Sequence, residues 1–301
     1  MKFSIITPVY NGEKYIAETI ESVLGQEGDF EIEYIIADGA STDKTVEIIK
    51  SYEQRLNTGQ YSVRCKKISF QWFSEKDSGM YDAVEKGFAR ATGDVFAYIN
   101  SDDKYLPGAF AIVAKIFSTY SDTEWAKGIN TTGDENGNTI SQGECFIYRH
   151  DWMAKGIYGR SAYFVQQDSV FWKRTLWEKA RPAISSFRLA GDYALWVAFA
   201  KHAPLWSFNK QVSMFRKRIG QLSTDMEGYN KEQAIIVPHN FFLEKRVILF
   251  FVLERFFRLN PKNIASRILL FAIFPFSKQE WYIDFEPNGN PTKKKAESYL
   301  V

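Results

Sequence analysis

The residues best suited to chemistry fall into a few short clusters. Asn100-Ser101-Asp102-Asp103 places two adjacent carboxylates directly after an apolar run. Two desolvated charges cannot sit unpaired in an apolar interior, so this pair faces solvent, a cation or a basic partner. Carboxylates that hold Mg²⁺ or Mn²⁺ commonly do so together with substrate phosphates. The plainer alternative is a turn with two solvated aspartates. In Asp38-Gly39-Ala40-Ser41-Thr42-Asp43, Asp38 can accept hydrogen bonds from a nucleobase edge and Gly39 permits close approach. Asp43, at the end of the same cluster, suits the first turn of a helix. Ser74-Glu75-Lys76-Asp77-Ser78-Gly79 is a third polar cluster, which alone reads as a solvated loop before a helix. Asp192, in Ala190-Gly191-Asp192-Tyr193, is either a helix N-cap or a general base at the mouth of a site. Arg216-Lys217-Arg218 is either a clamp for a pyrophosphate or a solvated basic loop.

Strands and helices must hold these clusters in place. Residues 3–8, 32–37 and 95–99 are short apolar runs that read as buried strands, and 63–73 contains another. Between them, residues 15–24 and 80–91 carry apolar side chains at helical spacing, as do Val46, Ile48 and Ile49. Strands alternating with helices predict an α/β fold with a mostly parallel sheet covered on both faces. Ligands of such sheets bind at the carboxyl ends of the strands. Three of the polar clusters fall there, at 8–11, 38–43 and 100–103. The stretch 125–220 is more aromatic and less regular, with a polar hairpin expected at 131–143, a strand entering a helix at 168–180 and an apolar helix at 192–202. Beyond about residue 230 the chain reads as helical.

Composition excludes several classes. The 301 residues are 45% apolar and 25% charged, which is ordinary for a globular chain, and a net charge of +2 gives no field suited to nucleic acid. The longest run without Asp, Glu, Lys or Arg is eleven residues, 233–243, against roughly 20 for a spanning helix. The N-terminus reads as lacking a signal peptide. Cys65 and Cys145 show no metal spacing, which fits a reducing cytosol. His150, His202 and His239 are far apart and show no zinc spacing. Neither a dinucleotide nor a P-loop glycine motif occurs, nor a G-x-S-x-G elbow. The last quarter is crowded with phenylalanine, and residues 245–278 carry seven Lys or Arg against the single acid Glu254. Apolar helices at 247–258 and 264–276, flanked by these cations, suit either a membrane interface with anionic lipids or packing within the protein or a dimer.

Taken in order, the clusters are individually weak and jointly specific. Ser4-Ile5-Ile6-Thr7-Pro8-Val9-Tyr10-Asn11-Gly12 opens the set, and Asp38-Gly39-Ala40-Ser41-Thr42-Asp43 follows. Glu75-Lys76-Asp77-Ser78-Gly79-Met80-Tyr81-Asp82-Ala83, Asn100-Ser101-Asp102-Asp103, Gln167-Asp168 and Asp192-Tyr193-Ala194-Leu195-Trp196 complete it. Over residues 1–225 the chain resembles the family 2 glycosyltransferases of the GT-A fold. The resemblance implies a Rossmann-like GT-A catalytic domain over 1–225, with a helical extension over 226–301. It implies an inverting, metal-dependent transferase that moves a sugar from a nucleotide-diphosphate donor to a glycan or lipid-linked acceptor in surface polysaccharide assembly. The place expected is cytoplasmic, and peripheral on the inner face of the membrane if the membrane reading of the tail holds. By the same resemblance Thr7, Pro8, Val9, Tyr10 and Asn11 line the nucleotide pocket. Asp38 binds the base, Asp77 lies near base or ribose, and Ser41 and Ser101 join the donor contacts. Asp102 and Asp103 hold Mg²⁺ or Mn²⁺, Arg218 meets the diphosphate or acceptor, and Asp192 is the catalytic base. The chain departs from the family pattern at Asn100, where many relatives carry Asp; Asn keeps an oxygen but loses the charge. A nucleotidyltransferase would want a glycine- and basic-rich loop where this chain has Pro8-Val9-Tyr10-Asn11. A non-catalytic nucleotide-sugar-binding module would not need both Asp192 and the Asp102-Asp103 pair.

Overall fold

The computed structural model describes residues 1–258 and 281–296. In chain order the first elements are β1 (Lys2–Val9), α1 (Ile16–Leu24), β2 (Gly28–Asp38), α2 (Thr45–Asn57), β3 (Cys65–Ser74), α3 (Met80–Arg90) and β4 (Val95–Tyr98). The four strands pair in parallel in the order β3-β2-β1-β4. Parallel neighbours need crossover helices, and α1, α2 and α3 supply them, as the alternating pattern predicts. Next come β5 (Lys104–Tyr105), α4 (Ala109–Thr119), β6 (Trp125–Gly133), β7 (Thr139–Gln142), α5 (His150–Ala154), β8 (Val170–Lys173) and α6 (Arg174–Ala180). The polar hairpin expected at 131–143 is β6 with β7. Then follow α7 (Gly191–Ala200), β9 (Leu205–Arg216), α8 (Met226–Ile236), α9 (Phe241–Arg258), β10 (Trp281–Phe285) and β11 (Pro291–Lys295).

All the strands join one mixed sheet, ordered β11-β10-β9-β6-β8-β4-β1-β2-β3, with β5 on β9 and β7 on β6. β8 runs antiparallel to both β4 and β6. The expected helical extension is helical in α8 and α9, but it also returns two strands: β10 pairs in parallel with β9, and β11 closes on it. Part of 226–301 is thus built into the same sheet. Residues 281–285, Trp-Tyr-Ile-Asp-Phe, alternate in β-branched and aromatic character over too short a span to stand out beside the apolar tail. The apolar run at 264–276 lies outside the described residues.

Side-chain alternation along β1 divides the core. Phe3 and Ile5 pack toward α1 and α4, whereas Ile6 packs toward α3. On the α1 and α4 side, the Phe3 and Phe110 rings stack at 4.9 Å. On the other side, Trp125, Trp172, Trp196 and Phe199 form an aromatic cluster that seats α7. α7 is apolar nearly all round because it is buried nearly all round, and this fixes the position of its first residues.

Candidate active site

The carboxyl ends of β1, β2, β3 and β4 carry the polar clusters, and hydrogen bonds between loops tie them together. After β1, Asn11 takes a left-handed conformation (φ 50°). Its backbone N–H donates to Ser41 Oγ at 2.8 Å, and its side-chain oxygen accepts from the Thr42 N–H at 2.8 Å. Gly12 donates to Thr45 Oγ1, and Asp43 accepts from the Glu13 and Thr45 N–H groups. Asp43 is therefore structural, as its place in the sequence suggests. Asp38 is buried; its Oδ2 accepts from the Ser41 N–H and the Ser74 hydroxyl, while its Oδ1 is buried without a partner. Asp77 lies against Gly39: a methyl added there would sit 2.6 Å from an Asp77 oxygen. Burial pushes the Asp77 carboxyl above the usual range, and the nearby Asp82 and Asp38 charges add to this.

Two of the residues expected to line the pocket are turned inward. Thr7 is fully buried with its hydroxyl 3.0 Å from Tyr34 Oη, and Val9 packs in the core beside α1. Both lie in the body of β1, so alternation of the pleat sends their side chains into the core and leaves only their backbone near the strand end. Pro8 is also buried, whereas Tyr10 and Asn11 are exposed. Ser101 stands beside Gly12, where a methyl would meet its Oγ at 3.3 Å.

Asp102 and Asp103 are both buried, and both are paired. Asp102 Oδ2 accepts from Arg218 Nε at 2.6 Å. Asp103 is the more deeply buried of the two. Its Oδ1 accepts from the Arg216 N–H at 2.8 Å and its Oδ2 from Asn100 Nδ2 at 3.1 Å. The tight turn from Asn100 to Asp103 points this carboxylate back onto the end of β9. Arg216 is itself buried: Nε donates to the Asp102 carbonyl, Nη1 to the Glu135 carbonyl and Nη2 to Glu18, over the Tyr15 ring at 4.6 Å. Gln221 bonds Arg216 O and the Arg218 N–H and closes the loop that presents Arg218.

Asp192 lies in the first turn of α7 and is partly buried. Its Oδ1 accepts from the Tyr193 N–H at 2.7 Å and from the Tyr229 hydroxyl of α8 at 3.1 Å. Burial pushes its carboxyl up to about 6, against the opposing pull of hydrogen bonds from Tyr193, Tyr229 and Tyr81. Tyr81 lies in the first turn of α3 and Tyr98 ends β4, so Asp192 sits at the carboxyl end of the sheet, the end that also carries Asn100, Asp102 and Asp77. Gly191 allows this approach, because a methyl there would come within 2.5 Å of the Tyr81 ring.

The sequence model described as glycosyl transferase family 2 matches residues 4–175, more than half of the chain. The chain belongs to this family. Among relatives, the poly(ribitol-phosphate) β-N-acetylglucosaminyltransferase TarS of Staphylococcus aureus is 32% identical over 106 residues, 34% of this chain and 16% of that protein. The teichuronic acid biosynthesis glycosyltransferase TuaG of Bacillus subtilis, a putative assignment by its name, is 37% identical over 102 residues, 34% of this chain and 36% of that protein. These matches span well under half of the relatives' own lengths. The fold is shared with the crystal structure of TarS 1–349 in complex with UDP-GlcNAc, with a TM-score of 0.54 at 16% identity over 91% of this chain and 80% of that one. It is also shared with the mannosyltransferase PcManGT of Pyrobaculum calidifontis in complex with GDP-Man and Mn²⁺, with a TM-score of 0.55 at 14% identity over 92% and 75%.

The metal implied by the family 2 resemblance can be tested against the donors present. Among the described residues, no three His, Cys, Asp or Glu side chains form a metal cluster. Mg²⁺ and Mn²⁺ sites completed by substrate phosphates need only one or two protein carboxylates. Asp102 supplies one, and the buried Asn100 Oδ1, without a partner, supplies a neutral oxygen nearby in the chain. The donors fit a site of that kind. Sequence reading of this family 2 chain gave no role to Glu18, Tyr229 and Glu232, named Tyr81 only within a motif, and left Arg216 open between a clamp and a solvated loop. A lone Tyr or Glu carries no motif, and the contacts of Tyr229 and Glu232 cross about forty residues of chain. Arg216 lay inside a basic run whose members look alike until one is buried.

Proposed function

We propose that this chain is an inverting glycosyltransferase that moves a sugar from a nucleotide-diphosphate donor to a hydroxyl of a glycan or lipid-linked acceptor in surface polysaccharide assembly. One observation carries the reading: two acidic groups with different surroundings share the carboxyl end of one sheet. Asp102 is paired with a cation, whereas Asp192 is lodged among phenols. Such a division suits one group to the leaving phosphate and the other to proton transfer. Asp38, through its free Oδ1, and Asp77 bind the base and ribose. Arg218, on its exposed loop, leaves Asp102 to meet the diphosphate oxygens. Asp102 and Asn100 would hold Mg²⁺ or Mn²⁺, which when bound would offset charge on the leaving diphosphate. The acceptor oxygen forms a bond to the anomeric carbon as the carbon–oxygen bond to the phosphate breaks. The acceptor proton passes to the Asp192 carboxylate, and the electron pair of the broken bond leaves with the diphosphate.

The acceptor class draws support from α9. Val247 and Phe250 are buried on its inner face, with the Phe250 ring against Trp152. Phe241, Phe242 and Val252 are 64%, 80% and 60% exposed on its outer face, where Lys245 and Arg255 are exposed as well. No helix of the described residues is long and apolar enough to cross a membrane. An apolar strip edged with cations suits the surface of an anionic bilayer, where a lipid-linked acceptor would be presented.

The test begins with a thermal-shift screen of UDP- and GDP-sugars, because a ligand that binds only the folded state raises apparent stability. With the donor so identified, Asp192→Asn should reduce transfer by about 10²- to 10⁴-fold and leave donor binding by calorimetry unchanged. Undiminished transfer would remove Asp192 as the base.

A further inference from the structure

α8 begins just beyond the loop that carries Arg218, and it packs on α7. Ala190, Tyr193 and Val197 meet Tyr229, Ile236 and Val237 across that contact. Two polar side chains of α8 do more than pack. Glu232 accepts three successive backbone N–H groups, from Arg188 at 3.0 Å, Leu189 at 2.9 Å and Ala190 at 2.7 Å. These are the residues that lead into Gly191 and Asp192. Tyr229, one turn earlier on α8, donates to Asp192 Oδ1. The register is held from both ends. Asp225 caps α8 through the Gly228 N–H, and Gly228 lets the helix approach Leu189, where a methyl would come within 2.6 Å. At the other end, Arg160 Nη2 donates to the Gln233 and Val237 carbonyls.

We propose that α8 is the positioning element of the reaction, with Glu232 fixing the backbone that aims Asp192 and Tyr229 stabilising the ionised carboxylate. The inference rests on the reading of Asp192 as base. A carboxylate anchored by three consecutive N–H groups is a rigid clamp, because both of its oxygens are committed in different directions. Gln cannot replace it: its NH₂ would face an N–H. The phenol acts differently. A donor to the charged form of an acid favours that form, so Tyr229 opposes the burial that pushes Asp192 upward. The side chains facing Asp192 from neighbouring elements are Tyr81 of α3, Tyr98 of β4 and Tyr229 itself. Tyr81 also has the Leu189 carbonyl as an acceptor at 3.1 Å, within the segment that Glu232 holds. The Tyr98 hydroxyl is buried without a hydrogen-bond partner. Tyr229, at 3.1 Å, is the phenol of α8 that donates to the base.

Tyr229→Phe keeps the ring and removes only the hydroxyl. We expect the midpoint of the Asp192 carboxyl, followed by carbon NMR in Asp-labelled protein and assigned by its loss in Asp192→Asn, to rise by about one pH unit. The acid limb of kcat/KM for the donor found in the screen should rise with it, and the rate should recover at high pH. A purely structural defect would lower the rate equally at every pH. Glu232→Gln should lower kcat about tenfold or more, with the donor KM unchanged. An unmoved carboxyl midpoint in Tyr229→Phe, or a Glu232→Gln that raises KM alone, overturns the inference. Transfer retained by Asp192→Asn would overturn the base assignment instead, and the NMR midpoint would still read the action of Tyr229.

Discussion

Asp102 and Asp103 are neighbours in the chain, yet one meets the Arg218 guanidinium on an exposed loop and the other meets the Arg216 backbone N–H and the Asn100 side-chain amide. Amide substitutions separate the two. Asp102→Asn keeps an oxygen and loses the charge, so Mn²⁺-dependent binding of UDP or GDP, whichever the chain prefers, should weaken at least about tenfold by calorimetry. Asp103→Asn should leave that binding little changed. It should instead cost about 1–2 kcal/mol in urea unfolding, because one of its two internal hydrogen bonds is reversed. Equal loss of nucleotide binding in both variants would restore Asp103 as a ligand. Sequence alone could state that these carboxylates need partners, since desolvation demands it. It could not assign the partners, because Arg216 and Arg218 arrive more than a hundred residues later.

Elements hold the site through contacts of the same long range. Glu33 lies in the middle of β2, buried between apolar neighbours. Its carboxylate accepts from Lys2 Nζ and the Ser4 hydroxyl on β1, and from the N–H and hydroxyl of Thr92 just before β4. It thus joins three strand segments at the end of the sheet opposite the clusters. Glu33→Gln should cost about 2 kcal/mol in urea unfolding. The donors hold its carboxyl below the ordinary 4.5 despite the opposing effect of burial. Its contribution is therefore complete above the unfolded value and is lost as pH falls through the folded one. The difference between wild type and variant should narrow in acid, and a gap independent of pH below 4.5 would contradict this account. The parallel core strands were legible in the sequence because their apolar runs are short, β-branched and punctuated. β10 and β11 were not, because strands completed by pairing, β10 on β9 and β11 on β10, need no strong signal of their own.

At the scale of the whole molecule, the net charge of +2 conceals a basic, aromatic last quarter. The structure gives α9 one buried and one exposed apolar face. The full chain should co-sediment with phosphatidylglycerol vesicles and bind phosphatidylcholine vesicles weakly. Each cation near the surface contributes roughly 1 kcal/mol, and that part should fade as salt is raised. Phe242→Ser with Val252→Ser should lower binding severalfold, since each removes an apolar side chain that insertion would bury. Equal pelleting with both lipids, or none with either, would argue that α9 meets protein instead.

The sequence by itself determined the α/β class, the crossover helices and the strand ends where polar clusters gather. Those follow from local periodicity and from the rule that buried runs end where polar residues begin. Its ordered clusters also pointed to the family. Only the tertiary structure decided which of two adjacent aspartates faces inward, that Thr7 and Val9 are turned into the core, and that α8 holds Asp192. These outcomes depend on which distant donor reaches each oxygen. Burial makes such pairings obligatory, but the choice of partner is made by the packing of segments far apart in the chain.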